Sequence, residues 1–325
     1  MYKNMEGGFA FVKKITKSKI KKELKGLWRD RQLILMILPA LTILIMFCYV
    51  PMGGLVLAFK RFNYSLGMFD SPWCGFENFK ILFANKDVFW RSTRNTLMYY
   101  VLLTATNTVG CVMLAIGLNE LAFKRCAKVM QSIMILPTFM SYVAVTMIVT
   151  SLLDYKVGML NHLIEALGNS RINFYIEAKW WPLILTIVDN WKGLGYGSVI
   201  YLSTLSGIDQ GLYESAEIDG ANGWQKMWYI TIPHLMPMVS VMTILSLGNI
   251  MESNIGLFYR VTKNVGALYP TTQTLSSYVY DAVRNTTTTY GNTSAITFYQ
   301  SIVALVMVVA VNLIVRKKSP DHALF

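Results

Sequence analysis

The segment Glu214–Pro237, ESAEIDGANGWQKMWYITIPHLMP, is polar and acidic and lies between two long apolar runs. Just before it, Asp209 is a typical N-cap residue, which predicts a short helix through the start of the segment. Gly220 predicts the end of that helix, because glycine adopts the left-handed conformation without strain. Asn222 and Gln225, three residues apart, predict a second helix that begins with a capping box. Two helices joined by a glycine between apolar runs indicate a surface on which a partner docks.

Two prolines, Pro233 and Pro237, lie where the second helix would enter the next apolar run. Proline lacks a backbone N–H and clashes with the preceding turn of a helix. We therefore expect both prolines to interrupt the helix at the membrane surface.

The spacing within this segment resembles the cytoplasmic loop signature of permease subunits in binding-protein-dependent ABC importers. That signature reads Glu-Ala-Ala, three residues, Gly, nine residues, Ile, one residue and Leu-Pro. Ser215 and Ile232 are the two departures from it, and the Asp-Gly-Ala triplet is similar to that of the sugar-importing, maltose-type branch. The positions that carry the resemblance are Glu214, Ser215, Ala216, Asp219, Gly220, Ala221, Ile230 and Pro233.

The resemblance implies a type I importer permease with the MetI-like fold, whose loop 207–234 holds a coupling helix at 210–222. It also implies the partners: a second homologous permease that completes a heterodimer, two ATPase subunits, an extracellular solute-binding protein and an oligosaccharide. ATP and Mg would bind to the ATPase subunits, so this chain would have no cofactor and no catalytic residue. The alternative for the loop is a juxtamembrane amphipathic helix without a partner.

Composition places the chain in a membrane rather than in solution. Of its 325 residues, 54% are hydrophobic and 15% are charged, whereas a soluble domain carries about 25% charged residues. Ten of its 30 basic residues lie in the first 31 positions, which indicates a cytoplasmic arm that contacts anionic lipid rather than nucleic acid. The four cysteines have no metal or redox spacing, so the sequence predicts neither a metal site nor a disulfide.

Six apolar segments are long enough to cross about 30 Å of hydrocarbon, which predicts an all-α membrane protein with six transmembrane helices. They cover residues 33–51, 96–118, 129–153, 182–205, 235–258 and 295–315. The excess of Lys and Arg on one side is modest overall and comes from the segments beside the first, third and sixth spans. By the positive-inside rule it puts both termini and the 207–234 loop in the cytoplasm. With the resemblance, this predicts a multi-pass protein of the bacterial cytoplasmic membrane. Pro137 predicts a kink in the third span.

The sequence divides into a basic N-terminal arm (1–31), a first transmembrane helix with an external loop (32–94), a permease core of five transmembrane helices (95–318) and a cytoplasmic tail (319–325). The end of the first span and the external loop resemble the front of the LplB-like subgroup, which is attached to the uptake of complex oligosaccharides. The residues that carry this resemblance are Tyr49-Val50-Pro51, Gly54, Ala58-Phe59, Ser71-Pro72-Trp73 and Gly75-Phe76-Glu77-Asn78-Phe79. Two roles stay open for this loop: packing over the spans, or contact with the solute-binding protein. Trp180 and Trp181 predict an interfacial belt.

Polar residues at membrane depth are costly, so they indicate either a binding site or a contact between helices. A sugar needs amides or carboxylates for its hydroxyl groups and an aromatic face for its C–H surface. On a continuous fifth span, Asn249, Glu252 and Ser253 would share one face. The alternative is that amides only join helices and that Asp189 pairs with Lys192. The candidates for the substrate pathway are Asn107, Asn190, Trp191, Asn249, Glu252, Tyr299 and Gln300.

The sequence therefore predicts a permease subunit that forms half of the pathway of an ABC importer for an oligosaccharide. It contains no Gly-x-x-x-x-Gly-Lys-Ser/Thr motif, so it predicts no P-loop for ATP. An ABC importer for a peptide or an osmolyte would share the same loop signature. A transporter driven by an ion gradient is a further alternative, favoured only by the intramembrane charges of Asp189, Lys192 and Glu252.

Overall fold

The computed structural model describes residues 31–80, 86–121, 123–284 and 289–318. In this part of the chain the regular secondary structure is helical, apart from the isolated bridges Lys60–Trp73 and Asn63–Gly67. The chain divides after Val56 into two compact units. The predicted all-α class is confirmed, whereas the predicted boundaries at residues 31, 94 and 318 stay predictions.

The first unit holds most of helix α1, Arg31–Phe59, which is 29 residues long. The helix contains Pro39 and a π-helical turn at Ile45–Tyr49. Its side chains from Arg31 to Met52 are all exposed, although they are nearly all apolar. A long apolar helix with exposed side chains is suited to an environment of lipid or of other transmembrane helices.

The second unit contains helices at the positions of the other five predicted spans. Single helical turns occur at Gly67–Asp70, Glu77–Lys80, Leu136–Phe139, Ala178–Trp180, Gly266–Leu268 and Tyr269–Thr272, and a π-helical turn at Gly256–Val261. The longer helices are α2 (Lys86–Glu120), α3 (Lys124–Ile135), α4 (Tyr142–Leu153), α5 (Met159–Ala166), α6 (Trp181–Leu205), α7 (Gln210–Ile218), α8 (Gly223–Asn249), α9 (Leu275–Arg284) and α10 (Tyr290–Lys318).

By length and hydropathy, four of the described helices are able to cross a membrane, namely α1, α2, α8 and α10. The pair α3 and α4 makes a fifth candidate, although its two parts are bent by 99°. Helix α6 has 25 residues, which corresponds to about 37 Å at 1.5 Å per residue. It is therefore long enough to be a span, but Asp189, Asn190 and Lys192 make its middle polar.

Helix α6 packs along α2 and α3, and close approach is possible where it carries glycine. A Cβ at Gly195 would meet the backbone carbonyl of Met134. At the start of α6, Trp181 is completely buried, and its Nε1 donates a 2.7 Å hydrogen bond to the carbonyl of Phe174. The prediction of an interfacial belt is therefore wrong for Trp181, because its indole finds a partner inside the fold. Trp180 beside it is half-buried.

The third predicted span is broken at Pro137, which lies in the 3₁₀ turn Leu136–Phe139 between α3 and α4. The predicted kink is confirmed, and the bend is larger than a proline kink in a continuous helix. Ser141 caps the second half, because its Oγ accepts a 3.3 Å hydrogen bond from the N–H of Ala144. Helix α4 therefore begins as a new helix rather than as a continuation of α3.

Lys192 of α6 binds the carbonyl oxygens that this break leaves open. Its Nζ donates to the carbonyls of Pro137, Thr138 and Met140 over 3.1, 2.6 and 2.8 Å. The Oγ1 of Thr138 donates back to the carbonyl of Lys192 over 2.7 Å. Among the described ion pairs none joins Lys192 to Asp189, so the lysine closes the break instead of pairing within its own helix.

The fifth predicted span is broken as well, because α8 ends at Asn249 and residues 250–254 are not helical. The prediction that Asn249, Glu252 and Ser253 share one face of a continuous helix is therefore wrong. Glycine, asparagine and serine are poor helix formers, and residues 248–256 contain five of them.

Hydrogen bonds to the backbone and between side chains hold this second break in place. The Nε2 of Gln300 donates to the carbonyl of Met251 over 2.8 Å, and the Oγ of Ser253 donates to Thr274 Oγ1 over 2.6 Å. The Nδ2 of Asn254 donates to the hydroxyl of Tyr142 over 2.7 Å. Tyr142 is the first residue of α4, so this hydrogen bond connects the two breaks.

Pro233 and Pro237 do not interrupt the helix that contains them, because α8 runs continuously from Gly223 to Asn249. The expected interruption is therefore wrong. A π-helical turn at Met227–Thr231 precedes Pro233, which is then near the start of the regular α-helical part. A π turn changes the hydrogen-bond register, and proline is tolerated in the first turn of an α-helix.

We predict that Gly195→Ala destabilises the protein, because the new Cβ would collide with the backbone of Met134. The cost should be about 2 kcal/mol in the free energy of unfolding, measured as a lower midpoint of thermal unfolding in detergent. Gly117→Ala in α2 is the control, since nothing lies within 4 Å of its Cβ position. If the two variants unfold at the same temperature, the close contact between α6 and α3 is wrong.

We predict that Lys192→Met loosens the break of the third span, because three carbonyls lose their donor. The expected cost is about 2 kcal/mol, with faster hydrogen exchange in the N–H groups of residues 138–146. Lys192→Arg keeps the charge and several donors, so it should recover most of the lost stability. Equal exchange in wild type and Lys192→Met would contradict this role for the lysine.

Candidate functional site

Helix α7 is a short surface helix with capped ends. The Oδ1 of Asp209 accepts a 3.0 Å hydrogen bond from the N–H of Gly211. At the other end Gly220 has a φ of +80°, and the N–H of Ala221 donates to the carbonyl of Ala216 over 2.9 Å. This is the left-handed glycine end predicted for the helix.

The second helix of the loop starts with the predicted capping box. The Oδ1 of Asn222 accepts from the N–H of Gln225 over 2.9 Å, and the Oε1 of Gln225 accepts from the N–H of Asn222 over 2.8 Å. Two contacts join α7 to α8: the hydroxyls of Tyr213 and Thr231 lie 3.0 Å apart, and Lys226 Nζ lies 3.5 Å from Glu217 Oε2. The predicted N-cap, glycine end and capping box of the two helices are confirmed.

The α7 loop, residues 207–234, exposes acidic and apolar side chains together. Glu214 and Asp219 are exposed, and Ile218, Trp224 and Tyr229 have 87%, 71% and 80% of their surface exposed. Neighbouring apolar side chains left exposed on a loop are typical of an interaction surface. Among the other predicted positions, Ser215 donates to the carbonyl of Gly211 over 2.7 Å, Ile230 is half-buried and Pro233 is exposed.

Glu252 and Gln300, two predicted pathway residues, line the same cavity of about 630 Å³. We call it the Glu252 cavity; it lies between the break of the fifth span, α9 and α10. Glu252 is exposed, and its carboxylate forms no ion pair with another residue in the described part of the chain. The cavity thus offers a carboxylate and an amide. Hydroxyl-bearing side chains also line it: Ser253, Ser276, Tyr280, Thr297 and Ser301.

Sequence reasoning missed the contributions of Ser276 and Tyr280 to this cavity. The predicted spans 235–258 and 295–315 leave the residues between them outside the membrane, whereas α9 lies within that stretch and packs against α10. The short amphipathic pattern of α9 was the signal that could have revealed the helix.

Asn107 lines a second cavity, of about 380 Å³, together with Asp189, Thr108 and Tyr201. It lies between α2, α6 and α8. The Oδ1 of Asn107 is 3.4 Å from the Sγ of Cys111. This cavity brings together polar groups that the sequence placed on two different spans.

The other four predicted pathway residues line neither cavity. Asn190 is half-buried, and its Oδ1 has no hydrogen-bond partner among the described residues. Trp191 is 43% exposed on α6, and Asn249 is exposed at the end of α8. Tyr299 packs edge-on against Phe89, with ring centroids 4.9 Å apart.

Comparison with known proteins supports the helical membrane architecture described above. The family model described as "Binding-protein-dependent transport system inner membrane component" matches residues 111–319. The protein LplB of Bacillus subtilis (strain 168) is 32% identical over 295 residues, which cover 90% of this chain and 91% of LplB. From the same organism, the polygalacturonan/rhamnogalacturonan transport system permease protein YteP is 31% identical, covering 93% of this chain and 92% of YteP.

Among solved structures, a chain of a bacterial ABC transporter involved in the import of the acidic polysaccharide alginate superposes with a TM-score of 0.81. The two chains are 31% identical, and the match covers 92% of this chain and 99% of that one. The predicted fold is confirmed by this match. The chain belongs to the family of binding-protein-dependent transport system inner membrane components, the multi-pass permease subunits of ABC transporters in the bacterial cytoplasmic membrane.

Proposed function

We propose that this chain forms half of the translocation pathway of an ABC importer for an oligosaccharide. ATPase subunits would dock on the α7 loop, at residues 210–222, and supply the energy of ATP hydrolysis. A second permease would complete the pathway, and an extracellular binding protein would deliver the sugar. The observation that carries the proposal is the α7 loop, a rigid helix–glycine–helix with exposed acidic and apolar side chains on the cytoplasmic side.

The structure of the α7 loop suits the transmission of force. Helix α7 is capped at both ends, and its Tyr213 is hydrogen-bonded to Thr231 at the base of α8. Movement of α7 would therefore be passed to α8 rather than absorbed by a flexible loop. Ile218, at the end of α7, would fill a pocket on the ATPase, and Glu214 and Asp219 would bind basic residues around it.

The Glu252 cavity supports a saccharide as the transported solute. A carboxylate accepts two hydrogen bonds from neighbouring sugar hydroxyls, an amide both donates and accepts, and Tyr280 offers an aromatic face. An exposed carboxylate at membrane depth requires water, a substrate or a partner chain beside it. YteP is named for the transport of polygalacturonan and rhamnogalacturonan, and the similar solved chain belongs to a transporter involved in the import of alginate, so both are named for polysaccharides.

Transport would proceed by alternating access, with the breaks of the third and fifth spans as the points of movement. ATP binding would bring the two coupling loops together and open the spans outward, and hydrolysis would reset them. The hydrogen bond between Asn254 and Tyr142 would make the two broken spans move as one body. The chain itself would supply positioning and pathway groups, with no chemical step.

We predict that Gly220→Val releases the ATPase subunits, because a β-branched residue cannot adopt the φ of +80° without strain. The measurement is a pull-down of tagged chain from solubilised native membranes, followed by mass spectrometry. Gly168→Val is the control, since Gly168 has a φ of +81°, is also free of neighbours within 4 Å, and lies on the outer side.

In that experiment wild type and Gly168→Val should each bring down a second permease and an ATPase. Gly220→Val should retain the permease and lose at least about 90% of the ATPase, equivalent to a tenfold weaker association. Wild type that comes down alone, or Gly220→Val that keeps its ATPase, would contradict the assignment of the α7 loop.

We also predict that Ala304→Trp blocks uptake, because Ala304 lines the Glu252 cavity and an indole would fill much of its volume. The maximal rate of ATP-driven oligosaccharide uptake into proteoliposomes should fall at least about tenfold, with the complex still assembled. Leu305→Trp is the control, since Leu305 is the next residue of α10 and its side chain is 64% exposed. Equal rates in the two variants would exclude the cavity from the pathway.

A further inference from the structure

Three basic side chains line one cavity of about 500 Å³ in the segment that follows the fifth span. They are Arg260, Lys263 and Arg284, all exposed, and we call this cavity the basic pocket. None of the three takes part in an ion pair among the described residues. The orientation given by the basic residues of the chain puts this segment on the outer side of the membrane.

The basic pocket is held in shape by its own turn. Lys263 and Asn264 both have positive φ, 55° and 50°, a conformation that is uncommon outside glycine. The Nδ2 of Asn264 donates to Oδ1 of Asp281 in α9 over 2.7 Å, and Lys263 Nζ lies 4.7 Å from the ring centre of Tyr175. The cations are therefore carried by a fixed turn and by the end of a helix.

Two carboxylates lie near the pocket without neutralising it. Asp281 accepts the hydrogen bond from Asn264 and another, of 3.4 Å, from the hydroxyl of Tyr259. Asp154 accepts from the backbone N–H groups of Lys156 and Val157 over 2.8 and 3.0 Å. Both carboxylates accept hydrogen bonds from uncharged donors, and Asp154 also interacts electrostatically with Lys263. The three cations of the pocket still outnumber these two anions.

The basic pocket adjoins the Glu252 cavity along the same two elements. Ile255 and Tyr280 line the Glu252 cavity, whereas Tyr259 and Arg284, one helical turn further on, line the basic pocket. The rings of Tyr259 and Tyr280 meet between them, with centroids 4.8 Å apart. A solute that passes from the outer side to the Glu252 cavity would meet the basic pocket first.

We propose that the basic pocket binds the carboxylates of an acidic oligosaccharide, so that the transported sugar is built from uronate units. This inference rests on the proposed function. Guanidinium groups such as those of Arg260 and Arg284 bind carboxylates in a bidentate manner, and the ammonium of Lys263 binds them as a point charge. The volume falls in the range of small-ligand sites, about 300–1,000 Å³. The carboxylate of Glu252, deeper in the pathway, would then bind sugar hydroxyl groups that lie between the carboxylates of the substrate.

The test uses the complete importer, purified through this chain and reconstituted in proteoliposomes with its ATPases and binding protein. Its probes are two mixtures of two to six sugar units, one of oligouronates from alginate and polygalacturonan, the other of neutral oligosaccharides. Uptake is compared between wild type, the triple variant of the pocket and a control with the same charge. The pocket variant combines Arg260→Gln, Lys263→Gln and Arg284→Gln. The control combines Arg61→Gln, Arg171→Gln and Lys179→Gln, outer-side cations that are each paired with a glutamate.

Wild type should import the oligouronates, and the pocket variant should raise their KM at least about tenfold without a matching fall in the maximal rate. The control variant should behave as wild type, and raised salt should increase the KM of wild type more than that of the pocket variant.

Three results would overturn the inference. If wild type imported only neutral oligosaccharides, the proposed oligosaccharide function would be supported and an acidic substrate would be excluded. An unchanged KM for the oligouronates in the pocket variant would show that the basic pocket does not bind the transported sugar. If the pocket variant imported neither mixture and also lost the anionic phospholipid that co-purifies with wild type, the basic pocket would be a lipid-binding site. Failure of wild type to import either mixture would instead remove the proposed oligosaccharide function, on which the inference depends.

Discussion

The fold depends on the requirement that backbone groups at membrane depth find hydrogen-bond partners inside the protein. Two of the predicted spans are broken in the middle of the chain's apolar core, and a break exposes carbonyl and N–H groups that a continuous helix would satisfy. Lys192 supplies three hydrogen bonds at the first break, and Gln300 supplies one at the second. Without such donors the breaks would be too costly to keep.

This constraint also explains why the polar residues of the spans have mixed roles. Gln300 was predicted from the sequence to be a pathway residue. Its Nε2 donates to a backbone carbonyl, and the same side chain also lines the Glu252 cavity. Lys192 is a charged residue at membrane depth whose contacts are all within the protein. A polar group in a span therefore indicates a special place in the fold, and a free group that faces a cavity, such as the carboxylate of Glu252, indicates a pathway role.

The local structure of the α7 loop could be predicted from the sequence because it depends on short-range rules. Asp209, Gly220 and the Asn222–Gln225 box act within four residues, so their spacing determines their geometry. The positions of the spans were predictable from hydropathy for the same reason. The break of the fifth span was not, because poor helix formers such as Asn249 and Ser253 break a helix only where neighbours supply hydrogen-bond partners for the freed backbone groups. Gln300 donates to the carbonyl of Met251, and Ser276 accepts from the N–H of Ser253. That arrangement depends on residues far apart in the chain.

The central claim is that this chain transmits the energy of ATP hydrolysis to the movement of an oligosaccharide, and the source of energy is the most direct test of it. Uptake should be measured in proteoliposomes that contain the purified importer, with ATP inside or outside and with ion gradients imposed or collapsed by ionophores. The account predicts that uptake requires ATP on the side of the α7 loop and persists when every ion gradient is collapsed. Uptake that follows an imposed ion gradient in the absence of ATP would contradict it.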